Sequence, residues 1–369
     1  MKLSFLNFGS DRCGGNRVLY EVVNGLTEKG HDVTYLALAD QNWFPLKTSI
    51  TVCQTPQELA EKTPESDALV ATWCATAPIV DQMKGYKGTP AYYCQHHEPI
   101  FFFSPQEQEF AASTYRLNLD LIANSPWLQR QLKDKYNRES SLIVPGVDQE
   151  TFKVYQEEAA ARRDADAERE KAFKKYNKQL GAAVKPQDLP KLKCDPFKVL
   201  AFASQTPFKG LYDTVLPSMY YVHRLLGDAV EFHLYGSLQK PIGYPDKFLS
   251  KIVVHTGLTD TQLAQLYCSC DLYVSGSWAE SSPLPHLEAM ACGCPVVCTE
   301  PGTEHYGESL ARVEPRTPRV MGELILQVLG NRELREKMRL LGLEDVKKFT
   351  WQNTVAKAEA YFKGLVGEA

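Results

Sequence analysis

Short apolar runs alternate with segments of helical period along most of this chain, and that alternation constrains its fold more than any other feature. KLSFLNF reads as a strand, and the turn GSDRCGG follows it. From Asn16 onward, Leu19, Val22, Val23 and Leu26 recur at helical spacing. Gly30 closes that helix, and DVTYLALA is a second, almost wholly apolar strand. DALVAT, PAYYCQ, LDLIANS and SLIVPG continue the series, with the helix SPWLQRQLKDKY between the last two. Strands that are apolar on both faces, each followed by a helix, predict a parallel sheet covered on both sides, the α/β class.

The series breaks after SLIVPG and then restarts. Residues 155–193 are rich in Ala, Glu, Lys and Arg and offer little apolar face, which reads as a solvated surface helix reaching at least Leu180. A second set begins at FKVLAFAS, with a helix from Leu211, then VEFHLYG and KIVVHTG. TDTQLAQLY opens with Thr259 and Gln262 in a capping-box arrangement. DLYVS, the short helix PHLEAMACG and the strand CPVVC follow. With 369 residues, the chain suits two domains. The expected division is an N-terminal domain over 1–150, a linker with an inserted charged helix over 151–195, a C-terminal domain over 196–348 and a closing segment over 349–369. In doubly wound domains, ligands bind at the carboxyl edges of the sheets.

Composition removes several classes of function. The net charge of −4 provides no bulk field for nucleic acid or an anionic membrane. No apolar run approaches the roughly 18 residues of a membrane span. MKLSFLNFGSDR reads as a first strand, because its apolar run is too short for a secretion signal. The ten cysteines are scattered, several within apolar runs, which predicts reduced thiols and a cytoplasmic protein. Cys268/Cys270 and Cys292/Cys294 are C-x-C pairs, a poor match to metal-site spacing, so no metal is expected.

The stretch WAESSPLPHLEAMACGCPVV, residues 278–297, concentrates the chemistry. Pro285 suits the first turn of a helix and Gly293 its end. A helix starting after the strand DLYVS would aim free N–H groups out of the sheet edge, an anion site matched to a phosphate or diphosphate. The backbone amides of Leu284, His286 and Leu287 would supply it, because Pro283 and Pro285 have none, and the His286 side chain would add charge. Glu288 falls in the expected first turn, where it either accepts hydrogen bonds from sugar hydroxyls or only complements the helix dipole. Glu280 is either a ligand carboxylate or a solvated loop residue.

Glu280 and Glu288, in an E-x7-E pattern followed by E-A-M-A-C-G-x-P-V-V, resemble the signature of retaining glycosyltransferases of family GT4. That family has the GT-B fold, two Rossmann-like doubly wound domains facing a central cleft. The resemblance implies that Glu280 contacts the donor sugar and Glu288 the ribose of the nucleotide. CGGNRVLYEVVNGLTEKGHDVTYLAL is similar to the family's Gly-Gly loop, helix and second strand, with Gly14 and Gly15 approaching the donor phosphates or the acceptor. In YYCQHHEP, the H-E-P portion resembles the site of a histidine near the donor sugar, assigned to His97, with His96 as the second candidate. SQTPFKGLYD aligns with the family's G-R-x-x-x-x-K-G, placing Lys209 on the lysine that balances the diphosphate and Ser204 where arginine is usual. Arg12 and Arg17 are alternative sources of the missing cation. NSPWLQRQL, IVPGVDQETF and KFTW resemble further family segments, the last a helix that returns to the first domain.

The resemblance implies transfer of a sugar from a nucleoside diphosphate sugar, of UDP-glucose or GDP-mannose type, to a glycan, lipid-linked or small-molecule hydroxyl. No D-x-D stands at a strand end, so neither a catalytic metal nor another cofactor is expected. A lipid-linked acceptor would bring peripheral contact with the inner membrane face, and FFFSP (101–105) is either an apolar acceptor lip or, the preferred reading, core. Two other classes compete. An NAD(P)-dependent oxidoreductase could use Asp40 on a ribose, but G-x-G-x-x-G is absent from the first turn. A non-catalytic nucleotide-sugar-binding protein draws its support from Ser204. Oligomeric state has no signal in the sequence.

Overall fold

The computed structural model describes residues 1–369 apart from 42, 167–168, 170–194, 237–242 and 368–369. The chain divides into two units, one of Met1–Gly146, Ser281–Leu284 and Phe349–Ala369, the other of Val147–Glu280 and Pro285–Lys348.

The first unit is built on seven parallel strands: β1 (Lys2–Leu6), β2 (Asp32–Ala37), β3 (Ile50–Val52), β4 (Ala68–Ala71), β5 (Thr89–Cys94), β6 (Asp120–Ala123) and β7 (Ser141–Leu142). Their spatial order is β3-β2-β1-β4-β5-β6-β7, the doubly wound arrangement. The intervening helices are α1 (Gly14–Glu28), α2 (Pro56–Lys62), α3 (Ala77–Met83), α4 (Pro105–Thr114) and α5 (Pro126–Tyr136). Three of them begin by the same local chemistry. Thr55, Ser104 and Ser125 accept the N–H of Glu58, Glu107 and Leu128, and a proline fills the next position of α2, α4 and α5. Both sheet faces are buried, Leu3 and Phe5 packing with the α1 residues Leu19 and Val23 on one side, Leu6 and Leu69 with Val80 and Leu128 on the other.

The second unit has six parallel strands: β8 (Phe197–Ala203), β9 (Val230–Gly236), β10 (Ile252–His255), β11 (Leu272–Ser275), β12 (Val296–Thr299) and β13 (Leu310–Val313). Their order is β10-β9-β8-β11-β12-β13, again reversing direction of travel at the central strand. Its helices are α6 (Leu216–Leu226), α7 (Asp246–Leu249), α8 (Asp260–Ser269), α9 (Leu284–Ala291), α10 (Pro318–Gly330) and α11 (Arg332–Asp345), α9 taking its first residue from the first unit's segment. The capping box of α8 forms as the sequence predicts, Thr259 and Gln262 each receiving the other's backbone N–H.

The last helix, α12 (Trp351–Val366), groups with the first unit and packs on α1. Gly25 permits the approach: a Cβ there would stand 2.2 Å from Val355 Cγ2. Lys29 pairs with Glu359 at 2.8 Å, and the Tyr361 hydroxyl donates to Asp120 at 2.7 Å.

The charged stretch before β8 departs from the solvated surface helix expected of it. Residues 156–166 are helical, and the described part of the stretch groups with the second unit. Glu157, Arg163 and Asp164 are exposed, but two arginines turn inward: Arg162 donates to the carbonyls of Cys270 and Gly293, and Arg169, 2% exposed, donates to Asp271. Composition suggested a polar face toward water, but here the guanidinium groups find carbonyl and carboxylate partners inside the unit. The expected continuation of the helix to Leu180 lies outside the described residues.

Candidate functional site

In the second unit, β8 ends at Ala203 and leads into Ser204, the single-turn helix Pro207–Lys209, and Gly210 at φ 67°. A side chain at position 210 would meet the Gly276 carbonyl at 1.9 Å, so only glycine lets this loop lie against the loop after β11. A π-helical turn, Leu211–Val215, follows directly. Packed this way, the loop brings the Lys209 Nζ within 2.6 Å of Glu280 Oε1. The Ser277 hydroxyl donates to the same oxygen, also at 2.6 Å. Both acidic and basic side chains are largely enclosed, at 10% exposure for Glu280 and 27% for Lys209. Glu280 is therefore not the solvated loop residue of the simpler reading.

Helix α9 starts at Leu284, nine residues beyond the end of β11, and Gly293 ends it at φ 66° as expected. Glu288 is the fifth residue of α9, so no acidic residue sits in the first turn. That corrects the placement expected from the sequence, which started the helix at Pro285 and counted Glu288 into its opening. Glu288 is half-buried, and its Oε2 accepts the Tyr267 hydroxyl at 3.3 Å. The Tyr267 hydroxyl in turn meets that of Tyr235 at 2.6 Å. Burial pushes both phenols up, with Glu288 adding to the effect.

His286 is 2% exposed, its ring edge-on to Tyr273. Burial pushes its pKa down to about 4, against the pull of Glu280 and with the aid of Lys209 and Arg312. That burial disfavours the imidazolium, the charge expected of it. Its Nδ1 is buried without a hydrogen-bond partner among the described residues. Leu287 is fully buried, and Leu284 belongs to the apolar core of the first unit, 3.9 Å from where a Cβ of Gly14 would stand. Ser204 accepts the N–H of Thr206 at 3.2 Å and donates to its hydroxyl, so it shapes the loop. Arg17 pairs with Glu21 at 2.8 Å and lies over the Phe44 ring, while Arg12 is exposed.

In the first unit, Gly14 and Gly15 open α1, and a Cβ on Gly15 would come 3.5 Å from the Gln95 amide. His96 and His97 follow β5. His97 Nε2 lies 2.8 Å from the Tyr136 hydroxyl and its ring stacks on Tyr115. Burial, with Lys135 and His96, pushes its pKa down to about 4. His96 Nδ1 stands 3.3 Å from the His97 carbonyl, and its ring packs on Phe101.

The next residue, Glu98, escaped the sequence reading. It is 1% exposed and accepts the Tyr92 hydroxyl at 2.7 Å and the Cys74 N–H at 2.6 Å, while its own N–H donates to Tyr115. Burial pushes its pKa up to about 7, moderated by those hydrogen bonds. Ser277, Tyr235 and Tyr267 also went unseen. The only sequence signal for Ser277 is its position three residues before Glu280; the tyrosines look like ordinary core aromatics. FFFSP is not uniformly core: Phe101 and Phe102 pack on Trp73, but Phe103 is 83% exposed.

The two parallel, doubly wound sheets define a protein of GT-B type. HepE of Anabaena, solved in complex with UDP and glucose, shares this fold with a TM-score of 0.74, 16% identity, and coverage of 98% of this chain and 99% of that one. Residues 198–331 match the family described as glycosyl transferases group 1. The O-antigen biosynthesis protein RfbC of Myxococcus xanthus is 22% identical over 86% of this chain and 22% of its own length. The O-antigen chain mannosyltransferase B of Escherichia coli is 35% identical over 29% of this chain and 28% of its own length. The chain thus spans less than a third of the length of either relative. The chain shares the GT-B fold, and its residues 198–331 are similar to the glycosyl transferases group 1 family.

Proposed function

We propose that this protein transfers a sugar from a nucleoside diphosphate sugar to an acceptor hydroxyl, with retention of anomeric configuration as in family GT4 and without a metal or other cofactor. The observation that carries the reading is the Lys209–Glu280–Ser277 cluster, held within the residues that match the family. As the bond between the anomeric carbon and the diphosphate oxygen breaks, positive charge develops on the sugar and negative charge on the leaving group. Lys209 and the α9 amides of Leu284, His286 and Leu287 receive that negative charge. Glu280 holds the sugar hydroxyls, joined by His97 through its Nδ1, and so orients the ring. The acceptor oxygen bonds to the anomeric carbon on the face the diphosphate leaves, and its proton passes to a departing phosphate oxygen. The products are a glycoside and a nucleoside diphosphate.

Glu288 holds the ribose, and Gly14 and Gly15 allow backbone approach to the phosphates or the acceptor. Ser204 lies beside the diphosphate in the position the family gives to arginine. The UDP and glucose bound to HepE support a UDP-glucose type of donor, and the mannosyltransferase relative supports mannose as the alternative sugar. A glycan or lipid-linked acceptor agrees with the O-antigen relatives, and the exposed Phe103 supports an apolar one. A lipid-linked acceptor would be met in the cytoplasm at the inner membrane face; among the described residues no helix is long and apolar enough to cross a membrane.

A panel of labelled UDP- and GDP-sugars, incubated with and without glycan acceptors, tests the reading. Release of nucleoside diphosphate coupled to a glycoside of unchanged anomeric configuration is expected. Binding without turnover across the panel would favour a non-catalytic nucleotide-sugar-binding protein.

A further inference from the structure

We infer that Ser277 is the positioning residue for Glu280: it keeps the carboxylate seated when Lys209 leaves that carboxylate for the donor diphosphate. The inference rests on the function proposed above and assigns a part in it to a residue the E-x7-E pattern does not contain.

Two donors converge on one oxygen, Lys209 Nζ and Ser277 Oγ each standing 2.6 Å from Glu280 Oε1. They differ in how firmly they are held. The lysine ammonium sits on a flexible four-carbon stem and remains 27% exposed. A diphosphate arriving beside it offers several anionic oxygens in place of one shared carboxylate oxygen. The serine has a single side-chain torsion to its oxygen, and its backbone is pinned on both sides. Its carbonyl accepts the Thr299 hydroxyl at the end of β12. The next residue, Trp278, donates its N–H to the Phe208 carbonyl at 2.8 Å, and the preceding Gly276 lies so close to Thr214 that a Cβ would stand 2.8 Å from that side chain. Ser277 itself is 2% exposed. The hydroxyl thus has a fixed origin set by β12 and by the 208–215 segment, while the ammonium can move. Without ligand, Lys209 and Glu280 neutralise one another; with donor bound, the ammonium turns to the diphosphate and the Ser277 hydroxyl preserves the orientation of Glu280 toward the sugar.

The test compares Ser277→Ala and Ser277→Thr with wild type, using whichever of UDP-glucose or GDP-mannose the wild type turns over, and the matching UDP or GDP. Ser277→Ala should lower kcat roughly tenfold to a hundredfold, the scale of one hydrogen bond to a charged group. Binding of the free nucleoside diphosphate should stay within about twofold, because that ligand lacks the sugar. Ser277→Thr, which keeps the hydroxyl, should recover most of the rate. In a Glu280→Gln background, Ser277→Ala should add little, because the two act through one contact. Unchanged kcat in Ser277→Ala would overturn the inference. So would equal weakening of diphosphate and sugar-nucleotide binding with no recovery by threonine, since that is the mark of a merely structural serine. A wild type that binds no nucleotide sugar at all would instead remove the proposed function.

Discussion

Arg169 and Asp271 meet at 2.8 Å inside the second unit, with side-chain exposures of 3% and 1%. The guanidinium also donates to the carbonyls of Asp195 and Pro196, and the other Asp271 oxygen accepts the N–H of Lys198. The pair therefore joins the segment before β8 to the starts of β8 and β11. Its ring neighbour is Phe197, over which the guanidinium lies at 4.9 Å.

Removing one member strands the other in a dry site. Arg169→Ala should destabilise the second unit by about 3–5 kcal/mol. Replacing both with apolar residues of similar size should cost much less, because no charge is left uncompensated. Thermal and denaturant unfolding of the two variants checks this; equal destabilisation by single and double substitutions would mean that packing, not charge, carries the cost.

Glu98 gives a pH signature to stability. Its folded pKa, about 7, lies above the ordinary 4.5 because burial disfavours the carboxylate. The native state then holds a proton that the unfolded chain releases between those values, so this contribution is complete below pH 4.5 and is lost as pH rises through 7. Glu98→Gln removes the titration. The stability of the variant relative to wild type should improve by about 2–3 kcal/mol from pH 5 to pH 8. Parallel stability curves for the two proteins would show that Glu98 titrates normally.

Glu288 is proposed to hold the ribose, a part shared by every nucleotide ligand. Glu288→Ala should weaken free nucleoside diphosphate and nucleotide sugar alike, by about tenfold to a hundredfold. Tyr267→Phe should have a smaller effect in calorimetric titration, since its contact with Glu288 is long at 3.3 Å. Unchanged nucleotide affinity in Glu288→Ala would take Glu288 out of the ribose site.

Transfer is proposed to need no divalent ion. EDTA should leave the initial rate intact. A loss of rate restored by Mg²⁺ or Mn²⁺ would count against that part of the mechanism.

What the sequence disclosed and what it hid follow from the range of the interactions. The strands were legible because burial on both faces writes a continuous apolar run, and the helix starts at Ser125 and Thr259 were legible because each residue caps within three positions of itself. Motif spacing singled out Lys209, Glu280 and Glu288, of which the structure pairs the first two. The inward turn of Arg169 was not legible because its partner lies 102 positions away, and nothing in a run of mixed charges marks which one turns inward. The start of α9 was misplaced because Pro285 is equally at home in the first or second helical position. His286 was read as a cation because its burial depends on Tyr273 and Tyr306, which only the folded unit brings beside it. Phe103 was assigned to core because an aromatic run after a strand is usually buried; here the chain turns into α4 and leaves that one ring outside.

Lys209 carries the most direct test of the chemistry. Its ammonium is paired with Glu280 in the structure, and in the proposed reaction it turns to the diphosphate, whose charge grows as the sugar leaves. Lys209→Met keeps most of the stem and removes the charge. A fall in kcat of about 10² or more is expected, the scale for losing one preorganised donor, with a smaller change in donor affinity. The carboxylate it abandons still has the Ser277 hydroxyl, so misplacement of Glu280 should be the lesser part of the loss. A variant that transfers sugar at close to the wild-type rate would place the stabilisation of the leaving group elsewhere. Ser204→Arg is the companion. The substitution gives up the Ser204–Thr206 hydrogen bond, a small loss because that bond is exposed, and adds a guanidinium where the family pattern has one. It should tighten binding of UDP or GDP, and more so at low salt, because the gain is between charges. If a folded Ser204→Arg protein binds nucleotide no better than wild type, position 204 does not face the diphosphate, and the alignment of this loop with the family motif fails at that residue.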